Sequence, residues 1–141
     1  MNITLAQARQ VVAGALAAGR AASYKPLTVV VLDSGGHVVA VEREDGASTK
    51  RFEIAHAKAH GAVALGLGSR ALMARAEQQP YFIAAVTQTV GALVPVPGGV
   101  LVRDADGGLL GAVGVTGDTS DHDELAALAG IEAAGLVGQP D

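Results

Sequence analysis

The chain has 141 residues, 50% hydrophobic and 17% charged: enough for one sizeable core and too few for two, so a single domain over residues 1–141 is expected. Ala and Gly make up a third of it and aromatic residues 3%, which calls for a core built by close backbone approach rather than by large rings. A net charge of −4 with scattered basic residues argues against nucleic acid and anionic membrane surfaces, and the lack of cysteine excludes disulfides, thiolate catalysis and Cys-based metal sites while fitting a cytoplasmic setting.

Thr4 and Gln7 form a capping-box signature, and Leu5, Ala8, Val12, Ala15 and Leu16 recur at helical spacing, predicting a helix to about Ala22. MNITLAQARQ lacks the basic run and apolar segment of a secretory signal. Lys25-Pro26 ends the helix. LTVVVLD and HVVAVER then read as two strands of a hairpin around Ser34-Gly35-Gly36.

Phe52 to Leu67 is a predicted helix whose small residues occupy several faces, so it is expected to be buried on more than one side. A short helix near Arg70 to Glu77 and another from Pro80 to about Val90 follow. The uncharged stretch from Gln78 to Val102 is broken by Pro80, Pro95 and Pro97 and reads as buried rather than membrane-spanning. A short strand ending at the prolines, then VLVRD and LLGAVGV, complete five strands. A last helix is expected from about Asp121 to Leu136, capped by Ser120 or Asp121. The order α-ββ-ααα-βββ-α, with strands joined by hairpins, predicts an α+β fold with an antiparallel sheet flanked by helices.

Three segments in order, VVVLDSGGHVVAVEREDGA, IAHAKAHGAVALGLGSR and VPGGVLVRDADGGLLGAVGVTGDTSDHDELAALAGI, resemble the GlcG/HbpS-like family of small haem-binding proteins, which includes the C-terminal domain of PduO-type corrinoid adenosyltransferases. The resemblance implies a profilin-like sandwich around a five-stranded sheet, homo-oligomers that are commonly octamers, and haem as the cofactor. Where many members read Arg-Met-Asp-Gly this chain has Arg43-Glu44-Asp45-Gly46, and its helix reads Lys58-Ala59-His60.

Glu53, His56 and His60 fall at i, i+3 and i+7 on one helical face, where two imidazoles can share a metal or one can ligate haem iron. No third metal ligand is identifiable by spacing. Lys58 points about 200° away from the histidines and either binds an anion or pairs with Asp45 or Asp118. Arg43 is a bidentate anion candidate or the partner of Asp45 or Glu42. Of Tyr81 and Phe82, adjacent on a helix, at most one can face a pocket.

The run Gly117-Asp118-Thr119-Ser120-Asp121-His122-Asp123-Glu124 is the densest polar cluster. Gly114 and Gly117 would admit a ligand to the backbone, Thr119 and Gly117 would line it, and His122 with Asp118 suggests acid–base catalysis. The carboxylates also serve to cap a helix, and they repel anions unless a cation intervenes. The glycine turns at Ser34-Gly35-Gly36 and Pro97-Gly98-Gly99 lack the strand–loop–helix setting of a phosphate cradle.

Three functions fit these features. The leading one is haem or tetrapyrrole binding by a homo-oligomer. The second is a cofactor-independent enzyme acting on a small carboxylate or carbonyl compound, with Arg43 and Lys58 orienting it and His122 or Asp118 moving a proton. The third is a non-catalytic assembly protein.

Overall fold

The computed structural model describes residues 1–141. Helix α1 (Leu5–Ala21) leads into strands β1 (Thr28–Asp33) and β2 (Val38–Arg43). Helices α2 (Arg51–Leu65), α3 (Ser69–Gln78) and α4 (Pro80–Val90) follow, then β3 (Gly99–Arg103), β4 (Leu109–Thr116), α5 (Ser120–Ala133) and β5 (Val137–Gln139). The five strands form one antiparallel sheet in the order β2-β1-β4-β3-β5, an α+β sandwich as expected.

Strand alternation splits the core between two faces. Val29, Val31, Val100, Val102, Val113 and Val115 pack against α1 and α5. Val30, Leu32, Leu101 and Ala112 pack against Ala55, Ala59 and Ala62 of α2. A third, smaller cluster of Leu72, Ile83 and Leu93 ties α3 and α4 to the segment before β3.

The glycines and alanines let the layers approach. A Cβ on Gly114 would lie 1.9 Å from the carbonyl oxygen of Ala55, so α2 rests on bare backbone of β4. A Cβ on Gly130 would lie 2.3 Å from the carbonyl oxygen of Val11, and α1 and α5 meet there. Helix α2 is buried on a second side by its own chain: Val94 N–H donates to the carbonyl of Ala57 at 3.3 Å, and Leu93 covers Gly61.

Two predicted features are corrected. The segment at Val94–Val96 is not a strand, because Pro95 and Pro97 carry no amide hydrogen to donate to a ladder and the amide of Val94 is spent on α2. The fifth strand is β5, beyond the last helix and paired with β3. That helix stops at Ala133 rather than Leu136, with Gly135 at φ 73° turning the chain back. Its N-cap is Thr119, whose hydroxyl accepts from His122 N–H at 3.2 Å, not Ser120 or Asp121.

Candidate functional site

The predicted site residues fall into three places: the outer face of α2, the start of α5, and a groove beside β2.

On α2, the one-turn spacing stacks Phe52, His56 and His60, with ring centroids 5.8 Å and 5.5 Å apart. Glu53, predicted on the same face, turns to Lys50 at 3.5 Å instead. No three His, Asp or Glu side chains converge on one point anywhere in the chain. His60 Nδ1 lies 2.7 Å from the carbonyl oxygen of Ala92. A carbonyl only accepts, so Nδ1 carries the proton and Nε2 is left with its lone pair free.

Glycines flank that ring. A Cβ on Gly36 would sit 3.9 Å from Nε2, and one on Gly91 would sit 4.0 Å from Cε1. His56 is held below the usual histidine range, first by burial and then by the charge of His60. Because α2 rests mainly on β4, β1 and β3, the same face of edge strand β2 stays open beside the stack. Val38 and Val41, opposite Leu32 and Val30, are 49% and 36% exposed there. The result is an apolar surface carrying an imidazole whose tautomer is already set for ligation.

At the start of α5, Asp118 Oδ1 accepts from His122 Nδ1 at 2.7 Å and from Thr119 N–H at 2.7 Å, while Oδ2 accepts from Lys25 N–H at 2.7 Å. The backbone donors Lys25 and Thr119 and then His122 hold this carboxyl down to about 2. The His122 ring lies flat on Tyr24, centroids 4.4 Å apart at 8°. Its side chain is 45% exposed. Gly117 has φ 143°, and the space a Cβ would take is filled by the carbonyl of Pro26 at 2.1 Å.

Lys58 pairs with neither Asp45 nor Asp118. Its Nζ donates to Asp123 Oδ2 and to the carbonyl of Val115, both at 3.0 Å, and both side chains of the pair are 2% exposed. Burial pushes the Lys58 ammonium down and the Asp123 carboxyl up, against their mutual attraction. The other oxygen of Asp123 accepts from Asp118 N–H at 2.9 Å, so the buried pair fixes the backbone from which the Asp118–His122 dyad hangs. Arg70 answers the remaining acids, pairing with Glu124 at 3.1 Å and with Asp121. Those two carboxylates hold its guanidinium charged.

The groove, about 410 Å³, lies between Leu16 and Arg20 of α1 and the run Glu42–Asp45, with Pro26 at its side. Arg20 and Glu44 are joined at 2.9 Å. Arg43 and Asp45 also line it, and Arg43 makes no ion pair with Asp45 or Glu42. Tyr81 is 70% exposed. Phe82 packs inward under the guanidinium of Arg75 at 3.9 Å. Sequence reasoning missed Tyr24, Phe52 and Arg70. It had a signal for the burial of Lys58 and Asp123, since each sits on its helix's buried stripe, but none for their pairing.

These features define a small α+β sandwich protein with an open apolar face beside the His56–His60 stack. A family model described as "Haem degrading protein HbpS-like" matches residues 3–132, and the chain belongs to that HbpS-like family. Among solved structures, PduOC in complex with heme superposes with a TM-score of 0.85 at 23% identity, covering 96% of this chain and 97% of that one. HbpS gives a TM-score of 0.81 at 27% identity over 94% and 89% of the two chains. The Klebsiella pneumoniae protein ORFY gives 0.82 at 26% over 94% and 90%. No curated protein matches the chain.

Proposed function

We propose that this protein binds haem on the open face of α2 and β2, with His60 Nε2 as the axial ligand. The observation that carries this reading is the 2.7 Å hydrogen bond from His60 Nδ1–H to the Ala92 carbonyl. It fixes the ring, sets the tautomer and raises the basicity of Nε2, as backbone carbonyls do for haem-ligating and metal-ligating histidines. Phe52, Val38 and Val41 offer the apolar contact that a porphyrin face requires. Haem bound there would supply an iron centre for redox or ligand chemistry, and the chain's part is to hold and orient it.

Family membership and the heme complex of a structural neighbour support the same choice of ligand. The polar groove is poorly matched to it, since five of its seven lining residues, Arg20, Glu42, Arg43, Glu44 and Asp45, are charged. Assembly into homo-oligomers, with the octamer as the expected form, and a cytoplasmic location belong to this reading. The open edge of β2 and the exposed Val38 and Val41 supply a surface that a second copy or a ligand would cover.

The test is a haemin titration followed by visible absorbance on the wild type and on His60→Ala. A saturating Soret shift in the wild type, lost or at least about tenfold weaker in the variant, is expected. A linear response in both would remove haem binding from the account.

A further inference from the structure

The Asp118–His122 pair has no part in holding haem on the α2 face, yet it has the organisation of a working base. Both oxygens of Asp118 are engaged, by Lys25 N–H and Thr119 N–H as well as by His122. The imidazole is clamped flat against Tyr24, and nothing hydrogen-bonds Nε2. A carboxylate on Nδ1–H orients the ring and stabilises the imidazolium that forms when Nε2 takes a proton. Behind it the buried Lys58–Asp123 pair fixes the position of Asp118 through the 2.9 Å bond to its amide.

No serine or threonine hydroxyl lies within hydrogen-bond reach of Nε2. Thr119 Oγ1 is engaged by the backbone amide of His122 instead. The base is thus placed to act on the substrate's own proton rather than through a side-chain nucleophile.

The charge around the ring points to the substrate class. The acids of the cluster are answered within the protein: Asp121 and Glu124 by Arg70, Asp123 by Lys58, and Asp118 by its three donors. Lys25, whose amide holds Asp118 and whose neighbour Tyr24 carries the ring, has an exposed ammonium in no ion pair. Lys25 is thus the unpaired cation adjoining the dyad in the chain, and its ammonium is the group available to a substrate's carboxylate.

We propose that the Asp118–His122 dyad is a general-base centre that enolises small 2-oxo carboxylates, independently of haem. His122 Nε2 takes a proton from the carbon beside the ketone. The C–H electron pair becomes the C=C bond of the enolate, and the carbonyl π pair moves onto oxygen. Return of a proton from the imidazolium to the carbon restores the ketone, so no oxidant or other co-reactant is consumed.

The experiment is proton NMR of 2-oxobutanoate and pyruvate in D₂O, following loss of the C3 proton signal on adding haem-free protein. The expected result is exchange above the buffer rate. That excess should fall by about a hundredfold in His122→Gln and Asp118→Asn, with melting curves showing that each variant is folded. Should Asp118→Asn fail to fold, carbethoxylation of His122 in the wild type by diethyl pyrocarbonate, located by mass spectrometry, must abolish exchange. Exchange no faster than buffer, or equal in the wild type and in a folded His122→Gln, overturns the proposal. Haem binding by the same samples is scored separately, so the two readings fail independently.

Discussion

Lys58 and Asp123 are the residues on which the interior turns. Two opposite charges, each 2% exposed, gain from a 3.0 Å contact while losing their hydration. Removing one partner strands the other in the core, so Lys58→Met and Asp123→Leu are each expected to destabilise the fold by about 3–5 kcal/mol. The double variant is expected to recover most of that loss. Urea unfolding of the three proteins checks this, and additive losses would contradict it.

Asp118 gives a different residue-scale expectation. Its carboxyl is depressed to about 2 from 3.8, so the stability it contributes is fully present above 3.8 and is lost as pH falls through about 2. The melting-temperature gap between the wild type and Asp118→Asn should therefore be largest at neutral pH and close as pH approaches 2. A gap independent of pH would mean that the carboxylate's charge contributes nothing.

The burial of Lys58 and Asp123 was partly legible in the sequence. Lys58 with Ala55, Ala59 and Ala62, and Asp123 with Ala126, Ala127, Gly130 and Ile131, follow helical spacing on the buried sides of α2 and α5. The two helices lie on opposite faces of the sheet, so the spacing did not show that these charges meet, and Asp45 or Asp118 was the expected partner of Lys58. The stacking of Tyr24 on His122 was not legible, because it joins residues almost a hundred positions apart that are brought together by the pairing of β1 with β4 and the bond from Lys25 N–H to Asp118.

At the scale of elements, the small residues decide how closely layers sit. Gly130 faces the backbone of Val11 and Ala15 with no room for a methyl group. Alanine is the better helix former by about 1 kcal/mol, yet Gly130→Ala is expected to lower stability by about 1–3 kcal/mol, because α1 must move away. Thermal melting checks the sign, and a stabilised variant would show that the helices can part freely.

The hairpin of β1 and β2, the five helices and the pairing of β3 with β4 were all legible from alternation, glycine turns and helix caps. Strand β5 was not. Its three residues, Val137, Gly138 and Gln139, are too few to show a period, and what makes them a strand is the free edge of β3. The failed strand at Val94–Val96 shows the converse. Two β-branched residues gave the local signal, while the neighbouring prolines and the pull of α2 on the Val94 amide decided the outcome.

For the whole molecule, the sandwich separates the two proposed centres. One helical layer presents His60 on an open apolar face beside the edge of the sheet. The Asp118–His122 dyad hangs at the start of α5 in the opposite layer, and the buried Lys58–Asp123 pair crosses between them. The resemblance in the sequence pointed to the fold and to haem. It did not distinguish among the histidines, because the free Nε2 that singles out His60 as the proposed ligand depends on a carbonyl, Ala92, 32 residues along the chain. A mass determination with and without haemin checks the assembly. The account expects an oligomer, and a monomer under both conditions would remove that part of it.

The most direct test of ligation at His60 is chemical rescue. Haemin is added to His60→Ala with and without free imidazole, beside the wild type and His122→Ala, and the absorption spectra are compared. The account predicts a histidine-ligated spectrum in the wild type and in His122→Ala, its loss in His60→Ala, and its return when imidazole is supplied. A His60→Ala protein that binds haemin with the wild-type spectrum and affinity, without imidazole, would place the ligand elsewhere and contradict the account.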